Sequence, residues 1–270
     1  MQTAGLTVAA KKHCAAAVEA LSKRAMKTVG NLPILPAVLL ASLVGFATSS
    51  RAASLQSLFN GKDLAGWRQP TGTWAVARAV VLDPADPKEF QVTPGTGILL
   101  NSPTSHTVDL VTESEFGDME LHVEFCITRH SNSGVYLMGR YELQIYDSFG
   151  VAKVEYPGIE CGGIYPRWIN NQNVDGHSPL VNASKPPGQW QSFEVTFRAP
   201  RFDASGKKIA NARLVKVVHN GKVIHENLEL NGPTRGPIAE DEKPTGPLRL
   251  QGDHGPVAFR NIWVRRLNLN

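Results

Sequence analysis

Strict alternation of apolar and polar residues constrains this chain more than any other feature. It is clearest in Asn132–Asp147, which reads NSGVYLMGRYELQIYD. Successive strand side chains point to opposite sides of a sheet, so a period of two sorts the segment into two faces. Val135, Leu137, Tyr141, Leu143 and Ile145 make an apolar face that predicts burial in a core. Tyr136, Met138, Arg140, Glu142, Gln144 and Tyr146 make the other. On that second face a charged triplet lies between aromatic rings. A guanidinium fork, a carboxylate and an amide offer directional hydrogen bonds, while tyrosine rings offer flat apolar surface. A sugar needs both, because its hydroxyls want directional partners and its C–H faces want rings. The same period also fits a solvated outer face with an Arg140–Glu142 ion pair.

The pattern predicts a strand through this segment, entered from a turn at Asn132-Ser133-Gly134. The period recurs in Met119–Thr128, Gln191–Arg198 and Ala212–His219. Asn220-Gly221 predicts a hairpin turn into Lys222–Glu226. Asn60-Gly61-Lys62-Asp63 reads as a turn, and Asp83–Pro87 and Thr93–Gly97 as loops. Ile98–Leu100 and Leu248–Gln251 are short strand candidates, the second with Arg249 and Gln251 on one face, and Val257–Leu267 closes the chain. Phe149–Val181 is rich in Gly, Pro and Asn and long enough for a functional loop; Glu160, Cys161, Tyr165, Trp168, Asn170, Asn171 and Asp175 stand out in it. No helical period follows residue 54. Many short strands separated by turn signals predict one all-β sandwich or barrel over residues 54–270.

Residues 1–53 have a different character. Basic residues precede an apolar run from Ile34 to Ala47, and small residues follow at Ser50-Arg51-Ala52-Ala53. This is the order of a secretory signal peptide, cleaved after Ala52 or Ala53, and it predicts an exported protein, periplasmic or extracellular. The run is too short for a membrane span, so no stable span is expected after cleavage. The alternative is an N-terminal helix packed on the domain. Lys11, Lys12, Lys23, Arg24, Lys27 and Arg51 oppose only Glu19 here, a net +5 against +4 for the whole chain, leaving about −1 for the rest. That balance argues against a nucleic-acid partner. Cys126 and Cys161 remain after cleavage, and either one bridge or two free thiols fits the sequence.

Spacing excludes several chemistries. There is no Gly-rich phosphate loop in a strand–helix setting, no C-x-x-C pair, no close His pair and no G-x-S-x-G elbow. What remains is a carboxylate–amide strand, loop acids and amides, and His254 in an Asp-His-Gly turn, the material of proton transfer and sugar binding. A retaining glycosidase needs two carboxylates roughly 5 Å apart, which alternate residues of one strand supply. Glu142 is followed at that spacing by Gln144, so a second acid would have to come from Asp147, Glu160 or Asp253.

An ordered series of fragments carries a family resemblance: LFNGKDLAGW, NSGVYLMGRYELQIYDSFG, PLVNASKPPGQW, FRAPRFDASGK, HNGKVIHEN and GPLRLQGDHGPVAFRNIWVRRL. Together they resemble the DUF1080 family, the 3-keto-disaccharide hydrolase domain, over about residues 54–270. The resemblance implies a concanavalin A-like jelly roll of two antiparallel sheets with one concave face. It also implies an exported bacterial enzyme that cleaves 3-keto-glycosides. A ketone at C3 acidifies the C2 proton; a base removes it, the enolate is stabilised, the C1 oxygen leaves, and water adds to the double bond. Glu142 and His254 are the expected acid and base. Arg140, Gln144, Arg249 and Gln251 are expected to hold hydroxyls and the ketone oxygen, and Tyr136, Tyr146 and Trp168 to stack on the ring. Asp147 and Glu160 are further candidates for substrate contact. The family pattern near the end is Gln-Asp-His-Gly; here Gly252 is inserted before Asp253, which bears on where His254 points. No cofactor is required by the sequence; a divalent cation would suit enolisation, without identifiable ligands. A non-catalytic carbohydrate-binding or cell-surface interaction module of the same fold is the alternative. The oligomeric state is left open.

Overall fold

The computed structural model describes residues 54–103 and 106–269. The expected export signal at residues 1–53 lies outside them. Among the described residues there is no helix, and sixteen strands follow in chain order. They are β1 (Leu55–Ser57), β2 (Ala75–Leu82), β3 (Phe90–Leu100), β4 (Leu110–Phe116), β5 (Met119–Ile127), β6 (Asn132–Leu137), β7 (Tyr141–Tyr146) and β8 (Arg167–Ile169). The second half holds β9 (Gln172–Val174), β10 (Gln191–Arg198), β11 (Arg201–Phe202), β12 (Lys208–Ala210), β13 (Ala212–His219), β14 (Lys222–Leu230), β15 (Gly246–Leu250) and β16 (Val257–Arg266).

Two antiparallel sheets form the sandwich. The larger runs β14-β13-β10-β5-β16-β3-β2, with β1 beside β16; the smaller runs β4-β15-β6-β7. This is the all-β jelly roll of two antiparallel sheets that the sequence predicts. Alternation explains how the layers meet. Met119, Leu121, Val123, Phe125 and Ile127 of β5 turn inward, as do Phe193, Val195 and Phe197 of β10. From the other sheet, Val135, Leu137, Tyr141, Leu143, Ile145, Leu248 and Leu250 face them, and all are essentially inaccessible. Each such side chain contributes roughly 1.5–3 kcal/mol of transfer free energy, which fixes register, because a one-residue slip would turn a whole strand inside out.

Three expectations are corrected. Asn132–Asp147 is not one strand but the β6–β7 hairpin, with Leu137 paired to Tyr141 across Met138-Gly139-Arg140. Met138 and Gly139 both take positive φ, 53° and 65°, which closes the turn. A three-residue loop pairs residues of equal parity, so the two faces survive the reversal although Arg140 leaves the sheet. The expected turn at Asn132–Gly134 is the start of β6; the chain reverses earlier, where His130 has φ 61°. Thr93–Gly97, expected as a loop, belongs to β3: Ala77 pairs with both Pro94 and Ile98, so the intervening residues bulge out without ending the strand. Cys126 and Cys161 are both free and buried. Cys161 belongs to the inter-sheet core and Cys126 to a separate cluster with Ala77, Val80 and Phe90, so the one-bridge alternative drops out.

Candidate active site

The face of the smaller sheet turned away from the core carries the polar residues. Register lines up Arg249 of β15, Tyr136 of β6 and Glu142 of β7 as direct neighbours across three strands. The next row holds Gln144 opposite Gly134, and the Gln251 backbone N–H donates to the Gly134 carbonyl at 2.9 Å. Gly134 leaves the gap into which the Glu142 side chain leans. A Cβ at 134 would collide with Glu142 Oε1 and lie 3.0 Å from its Cδ.

β7 is the edge of this sheet, and the chain at 161–165 covers it. Gly162 N–H donates to Gln144 O at 2.8 Å, Gln144 N–H to Gly163 O at 2.9 Å and Tyr165 N–H to Glu142 O at 3.2 Å. An open edge is thereby capped, and Tyr165 is brought beside Glu142. From the other side comes the polar stretch before β15. Thr234 Oγ1 accepts from Glu142 N–H at 3.0 Å and donates to Arg140 O at 3.1 Å. These loops and the sheet enclose a cavity of about 510 Å³.

Tyr136 Oη donates to Glu142 Oε2 at 2.6 Å. The Gln144 amide, turned so that its nitrogen meets acceptors, donates to Ser133 O at 2.9 Å and Glu142 Oε1 at 3.2 Å. Arg249 stacks on the Tyr136 ring, its Cζ 3.5 Å from the centroid. Its Nη2 donates to Gly236 O at 2.6 Å, and its Nη1 lies 3.3 Å from Asp109 Oδ2. Asp109 also accepts from Gly252 N–H at 2.9 Å. The inserted glycine is thus anchored, since the Thr107 N–H also donates to its carbonyl at 2.9 Å. His254 Nδ1 bonds to Asp253 Oδ1, and both side chains are about half exposed.

Burial dominates the electrostatics of Glu142 and pushes its pKa up to about 8. The Tyr136 hydroxyl and the Arg249 charge oppose this, while Asp109 and Asp253 add to it. The Tyr136 phenol is raised as well, by burial first and then by the neighbouring Glu142 charge. At neutral pH the carboxyl therefore holds its proton, a state suited to donating it.

Of the residues expected from sequence, Tyr136, Glu142, Gln144, Arg249, Gln251 and His254 line this one cavity. Four do not. Arg140 sits in the hairpin turn, where Nη1 donates to Met138 O at 3.0 Å and Nη2 lies 3.4 Å from Asp241 Oδ1. Tyr146 packs against the core at the far end of β7. Asp147 accepts from His130 N–H at 2.9 Å, and Glu160 from Gly158 N–H at 2.9 Å; both carboxylates fasten loops. Trp168 lines an adjoining cavity. Asp109, Asn132, Tyr165, Arg235, Gly236 and Asp253 complete the lining; of these the sequence offers only Asp253, as a candidate second acid. Tyr165 and Asp253 sit in stretches already marked by their loop chemistry; the rest carry no local signal, because topology alone brings them in.

Among the described residues no group of three or more His, Cys, Asp or Glu side chains is placed to hold a metal ion. Among them, too, no helix is long and apolar enough to cross a membrane.

A comparison with curated proteins returned no match. Among solved structures, a candidate glycosyl hydrolase from Parabacteroides distasonis ATCC 8503 is 28% identical, with a TM-score of 0.55 over 79% of this chain and 84% of that one. A second candidate glycosyl hydrolase from the same organism is 21% identical, with a TM-score of 0.52 over 79% of this chain and 100% of that one; it shows the shared fold. The sequence profile of the 3-keto-alpha-glucoside-1,2-lyase-like domain matches residues 54–265, and the chain belongs to that family.

Proposed function

We propose that this domain is a carbohydrate-active hydrolase or lyase that cleaves the glycosidic bond of 3-keto-glycosides by taking the C2 proton and eliminating the C1 oxygen. One observation carries the reading. A single polar cavity holds a buried carboxyl with its pKa pushed up to about 8 and an exposed His254–Asp253 pair. Two proton-transfer groups in opposite environments supply an acid and a base at the same pH.

His254, its Nδ1 held by Asp253, takes the proton from C2 at Nε2. The C–H electron pair passes into the enolate, whose oxygen is stabilised by the Arg249 charge. As the ketone re-forms, the C1–O bond breaks and a C1–C2 double bond appears. The leaving oxygen takes the proton that Glu142 holds. Water then adds: its oxygen bonds to C1, its proton returns to Glu142, and His254 gives its proton to C2. Both groups end as they began. Tyr165 offers a ring for the sugar, and Gln144, Gln251 and Asn132 offer hydroxyl partners; the Tyr136 ring is buried under Arg249. Export to the periplasm or beyond is part of the proposal, supported by the basic, apolar and small-residue order of residues 1–53.

One observation favours a second reading, a non-catalytic sugar-binding module. Both Glu142 oxygens already accept hydrogen bonds, from Tyr136 and Gln144, as suits a fixed recognition group. Incubating the purified protein with 3-keto-sucrose or 3-keto-trehalose, with and without divalent metal, separates the two. Released monosaccharide supports the enzyme. Binding without release under every condition supports the module and overturns the enzyme.

A further inference from the structure

Asp109 stands just ahead of β4, and both oxygens of its carboxylate are engaged. Oδ2 lies 3.3 Å from Arg249 Nη1, and Oδ1 accepts from Gly252 N–H at 2.9 Å. One carboxylate thus touches both the cation of the cavity and the turn that carries His254. That turn is pinned at both ends: the buried Asn101 donates from Nδ2 to Gly252 O at 3.0 Å and to Gly255 O at 2.8 Å. Gly252 packs flat on the chain before β4, where a Cβ would lie 2.5 Å from Val108 O. The cation has fewer anchors. Arg249 Nε is buried without a hydrogen-bond partner, so Asp109 at Nη1, Gly236 O at Nη2 and the Tyr136 ring fix the guanidinium between them. The Glu142 carboxyl leans over Gly134 of β6, and β15 is the next strand, about 4.8 Å away, so a released Arg249 can reach it.

Resting on the reading above, we infer that Asp109 is a positioning residue: it keeps the Arg249 guanidinium on the Tyr136 ring and off the Glu142 carboxyl. A desolvated cation must find a counter-charge. With Asp109 in place that charge is Asp109, and Glu142 keeps the proton that the leaving oxygen needs. Without it Arg249 turns to Glu142, which ionises to pair with it and has no proton left to give. Other charged and titratable groups face the same carboxyl. Tyr136 does so from β6, Arg249 from β15 and Asp109 from ahead of β4. Asp253 and His254 lie in the turn before β16, and Tyr165 and Arg235 in the covering loops. Asp109 is the member of this set that pairs with Arg249.

The test reads the Glu142 carboxyl directly. Its carbon-13 NMR titration is followed in the wild type and in Asp109→Asn, with Glu142→Gln assigning the signal. Asparagine matches the shape of aspartate, and its oxygen still accepts from Gly252 N–H, so the fold and the His254 turn stay in place. Loss of the charge should lower the Glu142 midpoint from about 8 by about one unit or more. The alkaline fall of kcat/KM for 3-keto-trehalose should move down with it, because the acid must be protonated to act. In an Arg249→Gln background the same substitution should move the midpoint at most about half as far, because no cation is left to release. An unmoved midpoint would overturn the positioning role. So would an equal shift in both backgrounds, which would mean that Asp109 acts by its own charge. If the wild type turns over no 3-keto-trehalose, the reaction proposed above fails, and the titration, which needs no substrate, still decides the role of Asp109.

Discussion

The two outward faces of the sandwich carry nearly the same residues and do different things. On the larger sheet, register sets Arg265 against Glu120, Trp263 against His122 and Arg260 against Glu124. On the smaller sheet it sets Arg249 against Tyr136 and Tyr136 against Glu142. Both are cross-strand sets of arginine, aromatic ring and glutamate. On the larger sheet the cation touches the acid: Arg260 Nε donates to Glu124 Oε2 at 2.6 Å and Asn261 to Oε1 at 2.7 Å. Partial burial pushes Glu124 up, but those hydrogen bonds outweigh it and the pKa is lowered. On the smaller sheet Arg249 is committed to Asp109, to Gly236 O and to the Tyr136 ring, so Glu142 has only neutral donors. Loops at 161–165 and 234–236 remove water, and the pKa goes the other way. Residue types do not make a proton-transfer site; where the cation is spent and what covers the face do.

The sharpest test of that contrast exchanges each glutamate for its amide. Glu142→Gln should lower turnover of a 3-keto-glycoside by about 10²–10⁴-fold while sugar affinity measured by calorimetry falls only a few-fold. Glu124→Gln should leave kcat/KM within about twofold. Equal losses would erase the distinction between the faces.

Gly134→Ala probes the geometry without touching a polar group. Its Cβ must displace the Glu142 carboxyl, so kcat should fall by about 10–100-fold, with a stability loss of about 1–3 kcal/mol in denaturant titration. An unchanged kcat would mean that the carboxyl's position is not what matters.

Stability against pH should separate the faces next. The folded pKa of Glu142 lies above the unfolded value of about 4.3, so the folded state carries the extra proton from about pH 4.3 to 8. Its contribution is fully present below that window and is lost as pH rises through it, because the folded state then binds more protons than the unfolded one. Relative to Glu142→Gln, the wild type should lose on the order of a few kcal/mol between pH 5 and 8. Glu124, lowered when folded, contributes in the opposite sense: its stabilisation is fully present above the unfolded value of about 4.3 and is lost as pH falls through the folded value. Chemical denaturation of both variants, carried from about pH 8 down to about pH 3 so as to cross both windows, checks the two slopes.

The smallest effect belongs to the exposed pair at the larger sheet's surface. Arg265→Ala breaks the contact with Glu120 and should cost no more than about 1 kcal/mol, with turnover unchanged.

Much of this architecture is written in local patterns. Alternation in β5, β10 and β13 and the Asn220-Gly221 turn suffice for the strands, because burial of one face enforces a period of two and a tight turn demands positive φ. Met138-Gly139-Arg140 lacks such a signal: a methionine at positive φ is tolerated only because the flanking pairs hold it. That is why Arg140 reads as part of a strand and lies in a turn. Tyr136, Glu142 and Gln144 keep their face because the loop has an odd length. Asp109, Asn132, Arg235 and Gly236 are invisible locally, since they meet only after β4, β6, β15 and the loop before β15 come together. Thr93–Gly97 misleads for the opposite reason: its glycines and proline signal a loop, yet pairing with β2 absorbs them as a bulge.

The claim at the centre is that Glu142 and His254 move protons at C2 rather than attack C1. It is tested most directly with 3-keto-trehalose deuterated at C2 of the keto ring, followed by NMR and corrected for exchange without protein. Elimination predicts a primary isotope effect on kcat/KM and, because the half-exposed His254 exchanges the deuteron it has taken with water before returning a proton to C2, a released keto sugar depleted in its C2 label. Cleavage with no isotope effect and the label retained would mean direct displacement at C1, and would contradict the proton-transfer role assigned to this face.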